Sequence, residues 1–366
     1  MNKKVLVISG TRPEVNKQLF PVIFELRERD IDTTWVHTGQ HADLASSTME
    51  EIGSFPDIEF SAMSNSEGYA NSSLSYILNE LDGIVCNVKP DIVVVQGDTS
   101  STFAGSLFAF HHEIPLVYVE SGLRTYKKEP YPEEMNRQMI ARVADINCCP
   151  TELAADNLRN ELTQGEIHVT GNTEIDALYY ALDNCSPKKS YYVGGDRRTI
   201  IVTLHRRESI GMPMRNVCRD IVRIAETTPI DIIVTKHPNP RVSEIIEEEL
   251  GDVDLLLNST IMVVAPMDFV SFVHQMAEST LIITDSGGIQ ESASALGVPV
   301  VVARSVTDRP ECGLASVIAG TDAGNVYEAT MSILKSQEKY DEMSKAPCPF
   351  GDGNAAEKIV DILLEM

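Results

Sequence analysis

Short, unbroken apolar runs set the strongest limit on what this chain can fold into. Val5–Ser9 (VLVIS), Asp91–Asp98 (DIVVVQGD), Leu116–Ser121 (LVYVES) and Ile146–Pro150 (INCCP) stay apolar through their centres instead of alternating. A strand with one wet face alternates. A continuous run must be buried on both faces, which is the condition of a parallel sheet with helices packed on each side. The segments between the runs have helical length and spacing, so crossovers join the strands. Beyond Thr199 the same grammar returns as TIIVTLHR, DIIVTKHP, VDLLL, LIITDSGG, VPVVVAR and SVIAGTD, followed by two helices.

At 366 residues, with about 150 per domain, the length fits two such units. The expected fold is α/β, with two Rossmann-like doubly wound parallel-sheet domains in tandem. The first spans 1–171 and the second 190–350. An interdomain helix and linker at 172–189 lies where GNTEIDAL gives way to the polar stretch DNCSPKKSYYVGGDRR.

Charge narrows the function. With 54 acidic against 30 basic residues the net charge is -24, which argues against a nucleic-acid or anionic-membrane surface. A polyanionic ligand would have to be held by local Arg and Lys residues and by helix ends. No apolar run approaches the roughly 20 residues of a membrane span. The N-terminal MNKKVLVISGTRPE has an apolar run of only about seven residues before charged sequence, and reads as a first strand rather than a signal peptide. Seven cysteines without C-x-x-C spacing suggest neither a disulfide framework nor a zinc site. Adjacent Cys148 and Cys149 read as buried thiols, and a reducing cytoplasm is the expected setting.

In doubly wound sheets ligands bind beyond the carboxyl ends of the strands. Those ends carry Arg12, Glu14 and Lys17; Asp98, Thr99 and Ser100; Glu120, Ser121 and Arg124, with Glu133 and Arg137 just beyond. In the second half they carry His205 to Glu208, His237 and Asn239, Asp285 to Glu291, and Arg304, Arg309 and Glu311. Leu281–Ser292 (LIITDSGGIQES) is the sharpest of these: a strand turning through Ser286, Gly287 and Gly288 into a helix presents unpaired N–H groups to an anion, with phosphate the default. The plain alternative is that Asp285 or Ser286 caps the helix and the glycines shape a turn.

Each polar residue singly has a structural explanation; Glu133, for instance, suits a helix first turn, with Arg137 its i+4 partner. Together, three carboxylates, a histidine and several arginines suit acid–base work on a phosphorylated substrate. The chain has no G-x-G-x-x-G with a trailing acid, no Walker A motif, no H-E-x-x-H and no G-x-S-x-G, and neither cofactor nor metal is expected.

Ten ordered motifs then carry a resemblance: GTRPEVNK, TGQH, QGDTSST, VESGLRT, YPEEMNR, GNTEIDAL, HRRES, TDSGGIQE, RPE and FGDG. Over essentially its whole length the chain resembles the UDP-N-acetylglucosamine 2-epimerases. That resemblance implies a glycosyltransferase-B-like fold, with the two domains facing each other across a cleft and a C-terminal helix, about 353–366, packing back on the first. It implies inversion at C2 to give UDP-N-acetylmannosamine, by elimination of UDP to a 2-acetamidoglucal and re-addition, in a cytoplasmic homodimer. It implies Asp98, Glu120, Glu133 and His205 as acid–base and intermediate-stabilising groups. Arg12, Lys17, Arg137, Ser286, Gly287 and Gly288 would hold the diphosphate or sugar, Phe272 the uracil, and His237, Glu291 and Arg309 the rest of the substrate.

The chain departs from the family pattern at Ser292, where a second Glu usually binds the ribose, at Ala42 and Asp43 after the QH pair, and at Ser121. The alternatives are a hydrolysing 2-epimerase that releases N-acetylmannosamine and UDP, a 2-epimerase of a related nucleotide sugar, or a glycosyltransferase on the same fold.

Overall fold

The computed structural model describes residues 3–10, 13–39, 49–61, 70–191, 197–251, 259–307 and 309–366. Their chain forms two compact units, Met1–Tyr180 with Phe350–Met366, and Ala181–Pro349. The division falls inside the helix Thr173–Asn184.

The first unit holds β1 (Lys4–Ser9), β2 (Asp32–His37), β3 (Ile58–Glu59), β4 (Ile92–Gln96), β5 (Leu116–Val119), β6 (Ile146–Cys149) and β7 (Glu166–Val169). They form one sheet in the order β3-β2-β1-β4-β5-β6-β7. Every pairing in it is parallel. Alternate residues of one strand enter different cores, which is why the runs are unbroken. Leu6 and Ile8 pack with Val93, Val95, Tyr118 and Phe108 on one face. Val5 and Val7 pack with Val94, Val117 and Leu19 on the other, where Ile359, Val360 and Leu363 of the last helix, Ala355–Glu365, also lie.

The second unit is a six-stranded sheet of β8 (Thr199–Thr203), β9 (Asp231–Thr235), β10 (Thr260–Val264), β11 (Leu281–Thr284), β12 (Val300–Val302) and β13 (Ser316–Ile318). Its order is β10-β9-β8-β11-β12-β13, again with parallel pairing. The sequence does not single out β10, TIMVV at Thr260–Val264, and the expected strand VDLLL lies outside the described residues. One expectation needs correction. Three helices, not two, follow β13: Asn325–Leu334, Gln337–Ser344 and Ala355–Glu365.

The motif FGDG is a fitting that brings the chain's end home. Gly351 (φ +108°) passes Gly171 (φ +94°) so closely that a Cβ on Gly351 would lie 3.1 Å from the Gly171 Cα, and a Cβ on Gly353 would lie 2.3 Å from the Tyr179 ring. The Asn172 N–H donates to the Phe350 carbonyl (2.7 Å), and the Ala356 N–H donates to Asp176 Oδ1 (2.8 Å). Asp176 thus serves the open N-terminus of the last helix. It is 9% exposed, and its Oδ2 has no partner among the described residues.

Burial therefore outweighs the backbone hydrogen bonds and pushes the Asp176 carboxyl up to about 6. A raised carboxyl pKa means that the folded form holds a proton which the unfolded chain has already released, so this contribution to stability fades as pH rises from about 4 to above 6. Asp176→Asn keeps an acceptor for Ala356 and removes the buried charge. We expect the variant to match the parent near pH 4 and to exceed it at pH 8 by on the order of 2 kcal/mol. Denaturant titrations at both pH values check this, and a gap that does not widen with pH contradicts it.

Candidate active site

The strand ends of the first unit carry three carboxylates, each held differently. Asp98 follows β4 and is gripped by Arg137, whose Nε (2.9 Å) and Nη2 (2.6 Å) both reach Oδ2. Asn136 Nδ2 donates to the Asp98 carbonyl (2.8 Å). Arg137 thus pairs with Asp98 and, at 3.7 Å, with Glu134, not with Glu133 as i+4 spacing suggests. Its nearby anions, Asp98 foremost, raise the guanidinium pKa against the opposing pull of burial. Glu134 is buried and accepts from the Thr125 and Tyr126 N–H groups and from Gln138, which keeps it ionised below the ordinary range despite desolvation.

Glu120 follows β5 in left-handed backbone (φ 63°), a costly conformation for a residue with a side chain. Gln96 Nε2 donates to its Oε2 at 2.6 Å. Glu133 is the first residue of the half-buried helix Glu133–Val143, where the helix dipole favours a carboxylate. Two neighbours in these motifs are structural. The Arg124 side chain, fully buried, forks onto Glu161 at 2.8 and 2.9 Å. Ser121 Oγ donates to Asn147 Oδ1 (2.7 Å), which gives the departure from the family pattern its own partner.

In the second unit the turn after β11 has no side-chain cap. Ser286 is the N-cap of the helix Gly287–Ala295 but makes no side-chain cap bond. Asp285 points elsewhere: fully buried, it accepts from the backbone N–H groups of His205 (3.0 and 3.1 Å) and Arg206 (3.0 Å) and from His205 Nδ1 (2.5 Å). Gly287 and Gly288 lie within the helix and are not among the glycines at positive φ. No turn geometry requires glycine there. What two missing Cβ atoms provide is access to the first N–H groups of the helix, the arrangement that accepts a phosphate.

Asp285 is the residue that sequence reasoning left out of the catalytic set. Its contact fixes Nδ1 of His205 as a donor and leaves Nε2 for other work. Beside it, 5.9 Å between ring centroids, stands His237, which accepts the Asn239 N–H at Nδ1 (3.1 Å). Desolvation and then the neighbouring His205 lower the His237 pKa. Accepting at Nδ1 places the proton of the neutral His237 ring on Nε2. Glu291, 3% exposed, pairs with Arg309, and Thr307 ties that turn to Gln290 (2.7 Å). Ser292 is buried on the same helix.

Phe272 sits half-buried in the helix Phe269–Ala277, and Phe269 opens that helix one turn nearer the end of β10. Arg12 and the side chain of Lys17 lie outside the described residues, as do Ala42 and Asp43. Cys148 and Cys149 are free and buried, with both thiols pushed up by desolvation, Cys149 to about 12.

The sequence model of the UDP-N-acetylglucosamine 2-epimerase family matches residues 25–364. The chain belongs to the UDP-N-acetylglucosamine 2-epimerase family. A UDP-N-acetylglucosamine 2-epimerase of Bacillus subtilis is 40% identical over 368 residues, covering 99% of this chain and 95% of the relative. Among solved structures, the UDP-GlcNAc 2-epimerase of Neisseria meningitidis bound to UDP-GlcNAc is 33% identical, with a TM-score of 0.87 over 99% of this chain and 100% of that one. The S. aureus MnaA–UDP structure is 35% identical, with a TM-score of 0.84 over 99% and 96%. The two parallel-sheet units expected from the sequence are those of this 2-epimerase family.

In this 2-epimerase, Asp285→Asn should loosen the histidine it orients. Ring nitrogen NMR is expected to show neutral His205 as the Nδ1–H form in the parent and as a mixture in the variant, with His237 remaining Nε2–H in both. A variant spectrum identical to the parent's would show that Asp285 does not set the tautomer.

Proposed function

We propose that the chain interconverts UDP-N-acetylglucosamine and UDP-N-acetylmannosamine by inversion at C2. The near full-length match to 2-epimerases, one of them bound to UDP-GlcNAc, carries this reading. The chemistry of the strand ends supports a course through elimination. A carboxylate takes the C2 proton, the C1–O bond breaks, and UDP leaves with the bonding electrons. The resulting 2-acetamidoglucal then receives UDP back at C1 and a proton on the opposite face of C2.

Glu120 is the carboxylate we assign to the C2 proton: it stands just beyond β5, and Gln96 Nε2 orients one of its oxygens, while Asp98 accepts from Arg137. Asp98, Glu133 and His205 supply the further proton and the stabilisation of the intermediate. The uncapped helix start at Ser286 to Gly288, with Arg12 and Lys17, carries the diphosphate, since stabilising a leaving phosphate is an electrostatic task. His237 offers its Nε2–H, and Glu291 with Arg309 and Phe272 complete the nucleotide contacts.

In the same reading the enzyme is a cytoplasmic homodimer. The seven free cysteines suit a reducing compartment. The helices Ser100–His111 and Glu133–Val143 border an apolar groove of about 350 Å³ lined by Phe103, Leu107, Met135 and Met139, a face suited to a second copy. Sedimentation is expected to give a dimer for the parent and a monomer for Met139→Glu; a monomeric parent would remove this part of the reading.

Incubation with UDP-N-acetylglucosamine in deuterated water tests the reaction itself. An equilibrium mixture of two UDP-sugars, deuterated at C2, is expected. Accumulation of free UDP and N-acetylmannosamine would establish the hydrolysing reaction instead, and turnover only with an added acceptor a glycosyl transfer. Glu120→Gln should lower the exchange rate by about 10²–10⁴-fold, the scale of a lost general base, with only modest loss of UDP binding. Undiminished exchange in that variant would remove Glu120 from the mechanism.

A further inference from the structure

We propose that Gln18, Gln96 and Glu174 form a relay of oriented amides that positions the Glu120 carboxylate. The proposal rests on the reading of Glu120 as the group that meets the C2 proton. The four residues come from four elements of the first unit: the helix Pro13–Glu28, the last position of β4, the turn after β5, and the second position of the helix Thr173–Asn184.

Gln96 Nε2 donates to Glu120 Oε2 at 2.6 Å and also to Gln18 Oε1. Gln18 Nε2 in turn donates to Glu174 Oε2 at 3.0 Å. An ionised carboxylate only accepts, and an amide has one donating and one accepting end. Glu174 therefore decides which end of the Gln18 amide faces it, and the Gln18 oxygen left on the other side decides how the Gln96 amide stands. Both hydrogens of Gln96 are then committed, one of them to Glu120. Turned over, Gln96 would set its own oxygen against the oxygens of Gln18 and Glu120. The polarity of the chain is fixed by a carboxylate at each end, Glu174 and Glu120, with the two amides aligned between them.

Two observations give this arrangement weight. Gln96 and Gln18 are 1% and 7% exposed, so water does not substitute for their partners. Gln96 Oε1 has no partner among the described residues, an arrangement that costs free energy and is kept while both hydrogens are used. The consequence for Glu120 is specific. Its backbone is held in the left-handed turn at φ 63°, and one carboxylate oxygen is held by a donor without a positive charge. The contact from Gln96 aims that oxygen through a dipole, as Arg137 aims Asp98 through a cation.

The relay is tested with Gln18→Met, which cuts it at the middle, and Glu174→Gln, which keeps shape at a half-buried position but removes the fixed polarity. With UDP-N-acetylglucosamine in deuterated water, each is expected to lower kcat for C2 exchange by about 10- to 100-fold, the scale of a misplaced catalytic group, with KM within about twofold of the parent. In a Glu120→Gln background the same changes are expected to have no further effect on kcat. Crystals of the two variants without substrate should show the Glu120 carboxylate displaced from its position in the parent. Unchanged kcat with Glu120 in place, or an equal loss in the Glu120→Gln background, overturns the relay. If the parent exchanges no C2 hydrogen but Glu120 moves in the variant crystals, the reading of the reaction fails and the relay stands.

Discussion

Among the described residues all thirteen strands take part in parallel pairing, and that one constraint organises the rest of the structure. When the strands of a sheet run the same way, every loop that follows a strand emerges at the same edge. Polar residues scattered widely in sequence are delivered there without any loop having to reach for them. The parallel arrangement also demands burial on both faces, so neighbouring residues such as Leu6 and Val7 enter separate cores.

What the structure adds is the way each charged group is supported. Asp98 accepts from a guanidinium, one Glu120 oxygen accepts from an amide, Glu133 lies at the start of a helix, and His205 meets a buried carboxylate. The second unit divides its labour in the same spirit. Asp285 turns to the histidine, and by not capping its helix it leaves the N–H groups of Gly287 and Gly288 clear of a side chain.

The sequence carried the parts of this that follow from burial and missed the parts that follow from direction. Central strands such as IVVVQ were legible because every residue in them is buried. TIMVV was missed because it is an edge strand of its sheet and only its last residue is buried. Two-residue β3 is too short to leave a pattern. The candidate residues are legible from their places after strands, but their partners are not: helical spacing offers Glu133 to Arg137, and the fold supplies Asp98. Asp285 looked like a cap because a linear sequence does not say which way a turn faces. Gln18 and Glu174 left no signal at all: they lie 156 positions apart, and glutamines carry no motif of their own.

The path of the chain's end has a consequence for how the molecule is made. The first unit is not a contiguous stretch; Ile359, Val360 and Leu363, from the last dozen residues, fill a core begun by Val5 and Val7. During synthesis the N-terminal sheet must therefore wait, with one apolar face incomplete, while the entire second unit is translated and folds. Its missing helix is translated only after the second unit, and Asp176 and the glycine crossing at Gly171 and Gly351 form the berth that receives it. Loss of the last turns of the chain would thus strike at the half of the protein that was made first.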